Sequence, residues 1–192
     1  MKKLLLLSAI TLTGSLLHFN ATAQQNNSHI IDADKFTEQQ FNALEKNVPN
    51  DGWVQMNYQG KSYLLNCSNK DYRMNVGLNC AEGNPVFVIE YTGSYRDGDY
   101  EGIDFASSRN QSYADLKVLV DGKSFGNPFS DKGKANAGPF IEALKKGSKL
   151  TMSFYNTEFN PETGKDELKL NRSIDFKTAH PELLDVKVDC NS

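Results

Sequence analysis

The sequence predicts a mainly β protein: a single-domain β-sandwich or partly closed barrel carrying two or three short helices. Short runs rich in Val, Ile, Leu, Phe and Tyr recur between turns built from Gly, Pro, Asn and Asp. From Trp53 onward the apolar pattern changes from helical to strand-like. The length suits one domain with a real hydrophobic core rather than two.

The chain opens with Met1-Lys2-Lys3, an apolar run from Leu4 to Leu17 and the small-residue group Ala21-Thr22-Ala23. That order is the pattern of a secretory signal peptide with cleavage after Ala23. The run falls short of the roughly 20 apolar residues a membrane span needs, and polar Gln24-Gln25-Asn26-Asn27 follows it. Gln24 also lacks the thiol a lipid anchor would require. The expected organisation is a signal peptide at 1–23 and one exported β-rich domain at 24–192, beginning with a polar leader at 24–31. The expected destination is the periplasm, with release from the cell as the alternative.

After the leader, Asp32 and Asp34 are placed to cap a helix with Phe36, Phe41, Leu44 and Val48 on its apolar face. Pro49-Asn50-Asp51-Gly52 ends it. Strands at 53–58 and 62–67 form a hairpin about Gln59-Gly60, with the sole tryptophan, Trp53, in the core. Strands at 72–78 and 86–92 follow. The second is nearly unbroken in apolar residues and reads as central and two-sided. A long polar and aromatic stretch, 93–112, precedes a strand at 114–120 and the turn Asp121-Gly122. Pro139 at a first turn and Gly147 past a last one bracket a short helix at 139–146. Strands at 149–156 and 168–176 make a hairpin across 160–165, and the tail from 179 to 190 adds a short helix and an edge strand.

Removal of Lys2 and Lys3 takes the net charge from −3 to −5. A mildly acidic chain with scattered lysines has no electrostatic reason to hold nucleic acid, and no second apolar span suggests membrane insertion. Cys67, Cys80 and Cys190 all lie in the exported part, where disulfides form. Three pairings are open. Cys67 with Cys80 is the most local and is favoured, whereas a bridge from Cys190 to either would tie down the tail. The cysteine spacing fits neither a zinc site nor a redox pair, and His29 and His180 read as surface residues. No metal and no cofactor is expected.

The most distinctive local feature is Asp97-Gly98-Asp99-Tyr100-Glu101-Gly102-Ile103-Asp104. Alternate carboxylates with glycine at the sixth place resemble a calcium loop, but Ser108 stands where the bidentate Glu belongs. A contact loop fits the segment better. Tyr91, Tyr95, Tyr100, Phe105 and Tyr113 alternate with small, acidic and amide residues and Arg109, combining rigid anchors with adaptable polar groups. The candidate partner-binding residues are Tyr95, Asp97, Asp99, Tyr100, Glu101 and Phe105. An ordinary solvated connection is the bland reading of the same composition. Nucleophile elbows, phosphate loops and H-E-x-x-H pairs do not occur. A thiol of Cys67 or Cys80 with His180 as its base is the remaining catalytic pairing, and bridging of the cysteines opposes it. Lys132, Lys134, Lys145, Lys146 and Lys149 read as a solvated face or a rim that steers an acidic partner.

The second half carries Val118-Leu119-Val120-Asp121-Gly122, then Phe140-Ile141-Glu142-Ala143-Leu144 with Lys146-Gly147-Ser148-Lys149-Leu150, then Ser173-Ile174-Asp175-Phe176-Lys177-Thr178-Ala179. Over about residues 114–184 this order resembles the invasion-associated locus B family of exported β-sandwich proteins. The resemblance implies an exported, non-catalytic sandwich and transfers no active site. That family places cysteines near the middle of this region, and here Cys67 and Cys80 lie earlier. The expected function is therefore that of a non-enzymatic binding protein. Its most concrete form is an inhibitor or immunity protein that neutralises an envelope-targeting secreted toxin by protein contact. The alternative is a host-interaction, virulence or envelope-maintenance factor similar to that family, and a small-molecule ligand keeps a place beside both.

Overall fold

Backbone pairing in a computed structural model, which describes residues 28–40, 44, 48–93, 105–188 and 190, gives a mainly β architecture. The expected signal peptide and the first half of the expected leader, 24–27, lie outside the described residues. A six-stranded sheet runs in the order β1-β2-β3-β4-β6-β7. Its strands are β1 (Ile30–Asp32), β2 (Trp53–Tyr58), β3 (Lys61–Asn66), β4 (Tyr72–Gly77), β6 (Val86–Tyr91) and β7 (Phe105–Ser107). A four-stranded sheet has β8 (Asp115–Val120), β9 (Lys123–Ser124), β10 (Lys149–Asn160) and β11 (Lys165–Lys177) in the order β11-β10-β8-β9. Two short strands, β5 (Asn79–Cys80) and β12 (Lys187–Val188), pair in parallel.

Turn chemistry sets the hairpins. Gln59 and Gly60, at φ 52° and 71°, and Asp121 and Gly122, at 46° and 84°, take the left-handed conformations of a two-residue hairpin turn. The twist of such turns matches that of the strands they join, so β2 pairs with β3 from Tyr58↔Lys61 to Trp53↔Asn66.

The two sheets face each other across one main core. Trp53, Leu64, Met74, Phe87 and Ile89 from the first meet Leu116, Val118, Leu150, Met152, Phe154, Ile174 and Phe176 from the second. The helix Ala137–Leu144 contributes Phe140 and Leu144 to it. Burial of such side chains, at about 1.5–3 kcal/mol each, is the main force holding the layers. Asn66, fully buried, clamps the sheets together: its Nδ2 donates to the Lys177 carbonyl (2.8 Å) and its Oδ1 accepts from the Ser68 amide (3.0 Å) and hydroxyl (2.7 Å).

Three local expectations are corrected. The chain expected to be leader and helix start is a strand, since β1 pairs in parallel with β2 from Ile30↔Gln55 to Asp32↔Asn57. The following helical stretch, described at 38–40 and 44, is capped by Thr37, not by Asp32 or Asp34. The Thr37 hydroxyl accepts from Gln40 N (3.3 Å) while Gln40 Oε1 accepts from Thr37 N (2.9 Å), a reciprocal capping box. Asp32 instead pairs with Lys35, and Asp34 accepts from the Gln59 amide (2.6 Å) in the first hairpin turn. Phe36, Leu44, Val48 and Met56 cover Ile31, Val54 and Leu65 in a second, smaller core on the outer face of the first sheet. Strand β6 is central, between β4 and β7, but only one of its faces is fully buried: Phe87 and Ile89 are buried, while Val86 and Val88 on the other face are partly exposed.

Candidate functional site

Of the six candidate contact residues, Tyr95, Asp97, Asp99, Tyr100 and Glu101 lie outside the described residues. Phe105 opens β7 and is 41% exposed. The stretch read as loop up to 112 is partly structure. Ser107 Oγ accepts from the amides of Arg109 (3.0 Å) and Asn110 (3.2 Å), turning the chain directly after β7. Tyr113 is buried, edge-on to Phe154 with centroids 5.2 Å apart, and donates to the Ser107 carbonyl (3.4 Å). Burial pushes its pKa up to about 12. Tyr91 packs edge-on to Tyr72 at 5.4 Å. Two of the five aromatics expected to be contact anchors thus hold this end of the sandwich together.

Both roots of segment 94–104 open on that end. On one side, the Thr92 amide donates to the Asp71 carbonyl (2.7 Å), and the neighbouring Tyr72 hydroxyl accepts from Arg172 Nη1 (2.5 Å). On the other, Ser112 Oγ donates to the Phe105 carbonyl (2.9 Å), and two residues on the Ala114 amide donates to the Tyr155 carbonyl (2.8 Å). Arg172 and Tyr155 mark the place where the β10–β11 hairpin leaves the sheet, because β8 pairs with β10 only as far as Tyr155↔Asp115. Beyond it the hairpin continues alone to Asn160↔Lys165.

This arm has an unusual face. On β11, Phe176 and Ile174 point into the core, and the same period of two would carry Leu170 and Leu168 to the core side as well. The register instead shifts after Phe154↔Arg172, so that Tyr155 pairs with Leu170 and Asn171 is left over. Such a bulge turns every later side chain of that strand to the other face. Leu170, Leu168, Tyr155, Thr157 and Phe159 therefore share the outer face, with Phe159 66%, Leu168 54% and Leu170 51% exposed. The opposite face carries Glu158 and Lys169, paired at 2.8 Å. Lys117 lies over the Tyr155 ring at 4.7 Å.

The disulfide is Cys80–Cys190, with Cα atoms 5.4 Å apart, and not the expected Cys67–Cys80 pair. Pairing of β12 with β5, Val188↔Cys80, delivers the tail to this position, a contact between residues distant in sequence. Arg109 Nη2 donates to the Cys190 carbonyl (2.5 Å), joining the tail to the turn after β7. Cys67 is a free thiol whose pKa burial pushes up, against the partial offset of Arg73. A thiol held protonated is a poor nucleophile, and Cys80 is bonded. The expected lysine face is partly neutralised: Lys145 pairs with Asp185 (2.8 Å) and Glu142 (3.6 Å), and Lys149 with Asp175 (3.4 Å).

His29 and His180 are not separate surface residues. His29 and His180 stack with ring centroids 3.5 Å apart and planes at 24°. His29 Nε2 lies 2.7 Å from Asp51 Oδ1 and His180 Nε2 lies 3.6 Å from Asp51 Oδ2. The His29 contact is the main cause holding the Asp51 carboxyl below its ordinary pKa. His180 Nδ1 contacts Glu182 Oε1 at 3.2 Å. Sequence spacing gives no hint of this cluster, because its members come from three segments that only the parallel pairings at β2 bring together.

A partly open recess beside Gly77, Val88, Ser107 and Arg109 holds about 160 Å³, and two wider, more open hollows, one beside Asn84, Arg109 and Phe129 and one beside Gly60, Glu82 and Lys187, hold about 610 and 550 Å³, within the roughly 300–1,000 Å³ of ordinary ligand pockets. No helix among the described residues is long and apolar enough to cross a membrane. Comparison with protein-family models, curated proteins and solved structures returned no match.

Proposed function

We propose that this chain is an exported, non-enzymatic binding protein that acts by protein contact, and that its partner is an envelope-targeting secreted toxin which it neutralises. The observation that carries the reading is the convergence, at one end of the sandwich, of both roots of segment 94–104 and of an arm whose apolar residues face outward. Exposed aromatic and aliphatic anchors, in a chain that also carries an acidic segment, suit an interface that fills an apolar patch and pairs with a basic rim. Segment 94–104 supplies that acidity through Asp97, Asp99, Glu101 and Asp104 against the single Arg96. The Cys80–Cys190 bridge and the signal-like first 23 residues support work in an oxidising compartment.

The test is a contact competition between the source strain and a derivative lacking this protein, with and without a plasmid supplying the exported form. Killing of the derivative, relieved only by the exported form, supports an immunity role outside the cytoplasm. Equal competition, under conditions where the parent kills other strains, removes the toxin reading and favours a host-facing or envelope role.

A further inference from the structure

We infer that His29, Asp51 and His180 form a binding site for one divalent transition-metal ion, with Zn²⁺ as its occupant. The donor set is two imidazoles and one carboxylate, the mixture Zn²⁺ accepts in sites with three protein ligands and one open position. Their ligand atoms all lie within 4.8 Å of one another. Zn–N and Zn–O bonds of about 2.0–2.2 Å put tetrahedral ligands about 3.4 Å apart, near the 3.6 Å between His180 Nε2 and Asp51 Oδ2, whereas His29 Nε2, 2.7 Å from Asp51 Oδ1, would move outward.

Backbone hydrogen bonds fix the three segments before any ion binds. His29 accepts at its carbonyl from the Gln55 amide (2.8 Å), one residue before β1. Asp51 stands two residues before Trp53, whose amide donates to the Ala179 carbonyl (3.0 Å). His180 follows Ala179 directly, and Gly52 and Ala179 form a parallel bridge. The approach there is so close that a Cβ on Gly52 would lie 2.2 Å from the Ala179 oxygen. Glycine at 52 is what lets the His180 segment lie against the Asp51 segment.

Two further features point to a ligand. His180 holds a left-handed backbone, φ 63° and ψ 50°, immediately before Pro181. This conformation is uncommon for a residue with a side chain, and strain of this kind gathers at functional sites. Glu182 sits against His180 Nδ1, the outer partner that orients metal-bound histidines. His180 Nε2 lies 3.6 Å from Asp51 Oδ2, and one ion bonded to both would hold the stacked imidazoles against a single carboxylate. The Asp51 side chain is 55% exposed, which leaves a route of entry.

The test is calorimetric titration of the tag-free, disulfide-intact chain with ZnCl₂, repeated with CaCl₂ and MgCl₂. The expected result is one Zn²⁺ per chain and no saturable binding of the two hard cations, which prefer all-oxygen sites. His29→Ala and His180→Asn should each weaken Zn²⁺ binding at least about tenfold, and Glu182→Ala by about 10–100-fold. Asparagine at 180 tolerates the left-handed backbone, and near-ultraviolet circular dichroism verifies that each variant is folded. Cys67→Ser should bind as the wild type does. Absence of saturable Zn²⁺ binding, binding that survives His29→Ala with His180→Asn, or loss of binding in Cys67→Ser would each overturn the assignment.

Discussion

Replacement of Cys80 and Cys190 by serine removes the one cross-link that closes the second half of the domain on itself. The bridged residues are 110 apart in sequence, and the loop-entropy relation gives about 5 kcal/mol for a loop of that size. Strain and residual structure in the unfolded chain reduce such figures, so a loss of about 3–5 kcal/mol is expected. Cys190 is only 3% exposed, so the lost sulfur contact adds a little to this. Against a typical total of about 5–15 kcal/mol, the variant would be marginal. The assay is urea unfolding followed by fluorescence of Trp53, the sole tryptophan and fully buried, for the wild type, the double-serine variant and Cys67→Ser. The last should shift stability by under about 1 kcal/mol, since it changes one sulfur to oxygen at a half-buried site. A double-serine variant within about 1 kcal/mol of the wild type at equal slope would refute the reasoning. A comparable loss in Cys67→Ser would do the same, by showing that Cys67 is in the bridge.

Two other substitutions probe different bonds. Asn66→Ala strands the Lys177 carbonyl and the Ser68 donors between the sheets, and should cost about 2–3 kcal/mol in the same urea assay, at the upper range for unsatisfied buried groups; a cost under 0.5 would discount the clamp, on the scale of about ±0.5 kcal/mol for surface changes. Asp121→Asn keeps a residue that tolerates the left-handed turn but removes a carboxylate that accepts from the Ser148 hydroxyl (2.9 Å) and the Ser148 and Lys149 amides. Those bonds, Ser148 foremost, hold the Asp121 carboxyl below its ordinary value of 3.8. A carboxyl lowered in the folded state stabilises above its unfolded pKa and loses that effect as pH falls through the folded one. The wild type should therefore exceed Asp121→Asn in Tm by a constant margin at neutral pH, and the margin should shrink below about pH 4. A margin independent of pH would contradict this.

Local turn chemistry made much of the fold legible in the sequence. Gln59-Gly60 and Asp121-Gly122 announce their hairpins, and alternation of buried and exposed positions places Trp53, Leu116, Val118 and Phe176 in the core. The capping box at Thr37 and Gln40 was also present in the sequence as a Thr three residues before a Gln, but the acidic pair upstream competes with it as a start signal. What sequence could not carry is pairing between distant segments. Parallel addition of β1 to β2 and of β12 to β5 decides the disulfide and brings His29, Asp51 and His180 together. The bulge at Asn171 was hidden for a different reason. Leu168, Leu170, Ile174 and Phe176 keep one period of two, broken only by Arg172, which reads as a single core face. Only the register change shows that the first two face outward. Of the six candidate contact residues, Phe105 stands at the exposed root of its segment and the other five lie outside the described residues, while Tyr91 and Tyr113, aromatics flanking the segment, pack against Tyr72 and Phe154.

The most direct test of the account takes the arm alone. Phe159→Ser, Leu168→Ser and Leu170→Ser, combined in the exported chain, change three side chains that are at least half exposed and should leave Tm within a few degrees of the wild type. In the contact competition, a strain supplied with this variant at wild-type abundance should be killed as if it had no protector. Full protection by the folded triple variant would contradict the claim that this protein works through the outward face of its hairpin arm.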